Sequence, residues 1–257
     1  MSSSRRVAYF DMHGKLDRGF LHPGGRHATE RMLSLLPPLS GTSVVVELGC
    51  GVGETANLIL SQFPCSYVGI DSSLVMLNRT RSRVRRFQER ARLLQVDLWT
   101  ESIPLPDGHA DILIAESVIA ILEPEKIFRE AHRILKKGGW IAWNDRIWGN
   151  EIEVHNRRTM NEEALRLFGS GAAAETHPTS ADWKNAAERA GFRMTVCERV
   201  DGTSVDASTP MSKLTTLMRL ATRPRYLLLR YYDRFIEQKY GPMWKQMENW
   251  LFVGVKE

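Results

Sequence analysis

The sequence predicts an α/β protein built on a parallel sheet with helices on both faces. Three observations predict it. The stretch Val44 to Glu54, VVVELGCGVGE, reads as an apolar strand, a tight glycine turn and a helix start. An acid, Asp71, closes the next apolar stretch, eighteen residues past Gly53. From Thr42 to Asn144 short apolar runs alternate with helical patterns, as repeated βα units require.

The elements follow in order. The first forty residues read as a helical entry segment, in which Tyr9, Phe10 and Leu16 could form an aromatic flap. Leu21-His22-Pro23-Gly24-Gly25 is a turn by composition. Thr29 to Leu36 is a short amphipathic helix stopped by Pro37-Pro38. Strands are expected at about 44–48, 66–70, 92–96, 110–115 and 139–144. Val44, Val45, Val46 and Leu48 suit a strand buried on both faces. A helix from about Glu125 to Leu135 is expected to stop at Lys136-Lys137-Gly138-Gly139, with lysines near its carbonyl end and glycine after it.

Beyond Asn144 the pattern changes. A helix is expected over 151–169, then a short one capped by Thr179 or Ser180, with Asp182 as the capping-box acid. Strands follow at Phe192 to Val200 and Trp250 to Val255. Between them an insertion, about 203–248, carries two apolar-rich helices around Pro224.

Composition sets bounds. The chain has 257 residues, 43% of them hydrophobic, enough for one α/β domain with a cap. Its formal charge is +5, but the basic residues are spread out, with one dense run, Arg79 to Arg92. On a helix that run reads as a solvated face. Cys50, Cys65 and Cys197 lie far apart, without metal or disulfide spacing, which points to a reducing, cytoplasmic setting. The start, MSSSRRVAYF, lacks a long apolar core for secretion, and no run reaches membrane-spanning length.

The glycine spacing narrows the ligand. Gly49, Gly51 and Gly53 follow Glu47 in the order E-x-G-x-G-x-G, whereas dinucleotide sites favour G-x-G-x-x-G. A carboxylate at Glu47 would repel a pyrophosphate and suits a ligand carrying an ammonium group. Asp71 is placed to accept hydrogen bonds from ribose hydroxyls.

This string resembles motif I of the class I S-adenosylmethionine-dependent methyltransferases. Three later stretches strengthen the resemblance: Gln95-Val96-Asp97-Leu98; Pro104-Leu105-Pro106-Asp107 leading to Asp111 and the strand ending at Glu116-Ser117; and Glu130 to Gly139, similar to the family's E-x-x-R-V-L-K-P-G-G. The resemblance covers roughly 40–200. It implies a Rossmann-like fold: a seven-stranded, mostly parallel sheet with an antiparallel final strand and a helical lid. Residues 1–40 would be the lid segment, and 41–257 the S-adenosylmethionine-binding domain with its cap insertion. Glu47 would support the methionine end, the glycines would line the amino-acid arm, and Asp97 with the backbone of Leu98 would meet the adenine. Cys50, Ser72 and Glu116 complete the implied cofactor set.

Within that superfamily the inserted helices and the Glu116-Ser117 pair look like small-molecule methyltransferases, such as the ubiquinone, sterol, tocopherol and sugar O-methyltransferase groups. The implied reaction is in-line displacement at a sulfonium methyl, onto an O, N or C atom of an apolar or aromatic acceptor. Several relatives carry a histidine base after Glu-Ser, but here Val118, Ile119 and Ala120 follow. The acceptor is then an amine, a thiol or an ionised oxygen, or the base comes from elsewhere. Asp145 is the first candidate, because ligands sit beyond the carboxyl ends of such strands; His155 and His177 are the others. Glu116, Asn144 and Asp145 offer oxygen ligands of the kind Mg²⁺ takes, but other features of the metal-dependent group are missing, so no metal is expected.

Two other functions compete. A nucleic-acid methyltransferase draws on the basic balance, but no acceptor clamp follows the fourth strand and no RNA-binding module is visible, so no stable nucleic-acid complex is expected. A non-catalytic cofactor-binding regulator draws only on the missing histidine. The arginine-studded insertion reads as core packing with a basic outer face; a surface that settles on membranes is the competing account. Acceptor identity and oligomeric state are not readable.

Overall fold

The computed structural model describes residues 3–17, 19–200, 234–235 and 238–257. The helices expected around Pro224 fall outside them, apart from helical residues at the insertion's end, 238–246. Two helices open the chain, α1 (Ser3–Leu16) and α2 (Gly25–Ser34). The alternating part follows: β1 (Val44–Leu48), α3 (Glu54–Gln62), β2 (Ser66–Asp71), α4 (Leu74–Arg83), β3 (Ala91–Gln95), β4 (Ala110–Glu116), α5 (Pro124–Ile134) and β5 (Leu135–Ile147). Then come α6 (Val154–Phe168), α7 (Ser180–Arg189), β6 (Phe192–Arg199) and β7 (Glu248–Lys256).

The strands form one seven-stranded sheet in the order β3-β2-β1-β4-β5-β7-β6. The first five strands run parallel, and β7 is antiparallel to both neighbours, as the sequence resemblance implied. The chain moves one way from β1 to β3, then returns to place β4 on the other side of β1. That reversal opens a crevice beyond the carboxyl ends of β1 and β4.

Alternation along the strands divides the core in two. Val46, Leu48, Leu113 and Trp143 join Phe128 of α5 and Trp183 of α7 on one face. Val45, Ile112, Ile114 and Val253 join Met32 of α2 and Ile59 of α3 on the other. On the first face Trp143 stacks on Phe252 at 4.7 Å, and Phe128 tilts against it at 5.0 Å. Burying each large side chain contributes about 1.5–3 kcal/mol. The sheet that carries the crevice is therefore held rigid from both sides.

Three expectations are corrected. First, α2 begins at Gly25 instead of Thr29. Gly24 caps it at φ +75°, where a Cβ would stand 2.7 Å from that of Ala28. Second, α5 ends at Ile134, close to the expected stop, but β5 begins at Leu135 instead of about 139. Lys136 to Gly139 form an irregularity at its start, between the pairs Ala110–Leu135 and Ile112–Trp140. Lys136 Nζ lies 2.8 Å from both carboxylate oxygens of Asp111, one of which also accepts the Val44 N–H, a charge-assisted contact that holds this stretch on the sheet.

Third, the basic run is no continuous solvated helix. It crosses α4, a 3₁₀ turn (Arg85–Phe87) and the start of β3. Arg90 donates to the carbonyls of Leu60, Phe63 and Cys65, closing the end of α3. Arg79 donates to the Gly14 carbonyl, and Arg83 pairs with Asp17 and Glu54 at 3.1 Å while donating to the Val52 carbonyl. These bonds tie α1 and its following turn to the mouth of the crevice.

The Thr179 capping box with Asp182 is present.

Candidate functional site

The crevice holds a cavity of about 190 Å³. Glu47, Gly49, Cys50, Gly51, Gly53, Asp71, Ser72, Asp97, Leu98 and Glu116 all line it. The sequence singled out these ten, and the fold brings them to one place from four segments. Phe10, expected in an aromatic flap, walls the same space, as do Phe20, Met76 and Trp99, which the sequence did not single out. An aromatic side chain distant in sequence leaves no local signal of its destination.

The glycine turn has distinct jobs. At Gly49 (φ +67°) a Cβ would stand 2.4 Å from a methyl of Val118, so the turn must lack a side chain to pack beneath the β4 loop. At Gly51 (φ +54°) a Cβ would meet only the Gly49 carbonyl within 4 Å; the backbone there faces open space.

Asp71 holds the turn directly. Its oxygens accept from Gly51 N at 3.0 Å and Ser73 N at 2.8 Å. Burial pushes its pKa up to about 6, against the pull of those amides, and nearby Asp11 adds to the rise. Lone pairs on each oxygen remain for ligand donors. Glu47 is only 3% exposed and accepts from the Tyr67 hydroxyl at 2.5 Å. Burial, then Glu116, pushes its pKa well above the ordinary carboxylate value.

Glu116 is the hub. Thr29 of α2 donates to one oxygen at 2.8 Å, Thr55 of α3 to the other at 2.7 Å, and His22 Nε2 lies 3.4 Å away. Asn144 of β5 donates to the Pro23 carbonyl at 2.8 Å and sits 3.3 Å from His22 Nδ1. Both His22 nitrogens are thus engaged, so it is a strut and no free base. The turn at 21–25, expected as a lid, is stapled to the sheet. Thr29, Thr55 and Asn144 were not readable as a network, because their partners, Glu116 for the threonines and the 22–23 turn for Asn144, lie far off in sequence.

Among the described residues the cavity lining carries five acids, Glu47, Glu54, Asp71, Asp97 and Glu116, and no lysine or arginine. This donor set fits a cationic nucleoside and repels a diphosphate.

A second cavity, about 400 Å³, adjoins the first. Phe10, Leu21, His22, Ser117 and Ile121 line both. Ser117 adopts φ +55°, a left-handed conformation costing roughly 1–3 kcal/mol for such a residue. Its N–H is held by the Asn144 carbonyl at 2.7 Å. The second lining is mostly apolar, with Met160, Ala164, Phe168 and Trp244.

Asp145 faces this second cavity at 1% exposure and accepts the Ala120 N–H at 3.3 Å. Burial pushes its pKa well above the usual value, outweighing the amide bonds. It braces the loop after β4 at the wall of the second cavity, where the sequence expected a base. His155 is corrected as well: it is exposed on the first turn of α6 and lines neither cavity. His177 is buried beside Trp183 and lies 3.1 Å from Glu125, also outside both cavities.

Residues 46–143 match a family model described as a methyltransferase domain. The chain is similar to a malonyl-acyl-carrier-protein O-methyltransferase of Marinomonas sp., 29% identical over 127 residues, covering 49% of this chain and 46% of that one. It is similar to a trans-aconitate 2-methyltransferase of Paracidovorax citrulli, 31% identical over 148 residues, covering 54% and 53%. The matches thus span about half the length of these relatives. Among solved structures, the cyclase SpnF superposes with a TM-score of 0.73 at 18% identity, covering 99% of this chain and 97% of that one. A likeness at that identity concerns the fold alone; this fold also carries chemistry other than methyl transfer.

Proposed function

We propose that the chain, whose residues 46–143 match a methyltransferase-domain model, is a class I S-adenosylmethionine-dependent methyltransferase and transfers a methyl group to a small molecule held in the second cavity. The observation that carries this reading is the pair of adjoining cavities, one acidic and one apolar, with a shared wall at Ser117 and Ile121.

The residues present fit S-adenosylmethionine. Asp71 and Asp97 would hold the nucleoside, and Glu47 with Glu116 would face the positively charged amino-acid end. A cation there lowers the pKa of each carboxyl group it meets. The bound cofactor supplies an activated sulfonium methyl.

The chain's own contribution is then positioning and exclusion of water. Phe10 and Phe20 close the first cavity from the N-terminal side. The hydrogen-bonded loop after β4 holds Ser117 at the passage between the cavities. Such orientation can lower a barrier by roughly 7–11 kcal/mol. The passage lacks a free proton acceptor among the described residues, because His22 is engaged on both nitrogens and Val118 and Ile121 are apolar. This favours an acceptor that attacks without a strong base, such as an amine, a thiolate or an ionised oxygen. Asp145, at the wall of the second cavity, would orient it.

Calorimetry with S-adenosylmethionine and NAD tests the first half: preferential binding of S-adenosylmethionine is expected, and preferential NAD binding would refute it. A labelled-methyl assay against a metabolite extract, with RNA in parallel, tests the second. Label is expected in a small molecule; label confined to RNA would overturn the reading.

A further inference from the structure

The far side of the second cavity holds an unusual pair of donors. Arg146 leaves β5 next to Asp145 and lines the cavity, as does Trp244 from the helical residues 238–246. The guanidinium carbon of Arg146 lies over the Trp244 ring, 5.0 Å from its centroid. Arg146 Nε donates to the Asn249 side-chain oxygen at 3.2 Å, which fixes the plane of the group. Its Nη atoms have no carboxylate partner among the described residues. The Trp244 indole N–H is buried without an acceptor.

Both features are costly as they stand. A buried donor without an acceptor costs roughly the desolvation of that group. A half-buried guanidinium without an acid forfeits the pairing that normally accompanies burial, and burial alone accounts for the lowering of its pKa. One ligand group resolves both: an anion. The guanidinium fork with its Nε already anchored presents two parallel N–H bonds, the geometry that matches a carboxylate. The indole N–H is a further donor, on the ring that the guanidinium covers.

We propose that Arg146 and Trp244 form an anion-recognition subsite that selects acceptors bearing a carboxylate attached to an apolar or aromatic body. This rests on the reading of the second cavity as the acceptor site. The body occupies the space lined by Tyr9, Phe168 and Met160. The carboxylate anchors on Arg146, and the reacting atom is left to face the passage at Ser117.

The test uses the full chain with labelled tryptophan and follows the Trp244 indole N–H resonance, assigned with Trp244→Phe. The probes are benzoate, its neutral counterpart benzamide, and phenyl phosphate. Benzoate is expected to shift the Trp244 resonance, with affinity falling about tenfold or more in Arg146→Gln. Arg146→Lys should fall between, since it keeps the charge and loses the fork. Benzamide should bind more weakly than benzoate. In Trp244→Phe, which keeps the ring stack, benzoate affinity followed by calorimetry should drop a few-fold.

Equal benzoate binding in the native chain and Arg146→Gln would overturn the proposal, as would equal binding of benzoate and benzamide, or no benzoate binding at all. Phenyl phosphate binding in place of benzoate would overturn the carboxylate preference. S-adenosylmethionine affinity, measured separately, should be the same in every variant. Loss of that affinity in the native chain would fail the cofactor reading and leave the benzoate result to judge Arg146 by itself.

Discussion

Asp71 shows how one residue can be read twice. Its place after the second strand marks it as a ribose partner, and its bonds to the Gly51 and Ser73 amides make it the brace of the glycine turn. Its raised pKa, about 6, sets a pH dependence. In the ligand-free chain its protonated form favours folding: that contribution is complete below the ordinary value of 3.8 and is lost as pH climbs through about 6. A cationic ligand prefers the ionised form. Cofactor affinity is therefore expected to rise through about pH 6, with proton release on binding at lower pH, measured by calorimetry in buffers of different ionisation enthalpy. Asp71→Asn should flatten that profile and weaken binding by roughly 1–3 kcal/mol. A profile that stays unchanged in the variant would remove Asp71 from this role.

Among the elements, α4 and the strand after it show why a charge run does not reveal its function. Arg81 and Arg90 belong to the same sequence pattern. Arg81 is exposed and reaches only Asn78, whereas Arg90 closes three carbonyls at the end of α3. Arg90→Ala should lower unfolding free energy by roughly 1–3 kcal/mol in urea titration, and Arg81→Ala by under about 0.5. Equal effects would restore the solvated-face account. The same lesson applies to Lys136. Its local context reads as a helix end, but Asp111, in contact only through the sheet, holds it in β5.

At the scale of the whole molecule, α1 is bound to the rest by Arg79, by Arg83 through the turn that follows, and by Asp11, which accepts from Ser73 at 2.5 Å. It supplies Phe10 to the wall that both cavities share. Deleting residues 1–16 is expected to leave the sheet folded, with a Tm close to that of the full chain, while weakening S-adenosylmethionine binding by about tenfold. A truncated chain that binds as tightly as the full one would show that α1 is no part of the cofactor site.

The sequence by itself determined the strands, the glycine turn and the ten residues that now line one cavity. Strand and turn formation depend on near neighbours, and the order of βα units fixes which strand ends meet at the chain reversal. Only the tertiary structure decided the rest. It brought Thr29, Thr55 and His22 around Glu116, buried Asp145 against the loop after β4, left His155 in solvent, and set Arg146 against Trp244. Protonation, pairing and exposure depend on what surrounds a group in space. Those surroundings come from segments up to 122 residues away, which no local pattern encodes.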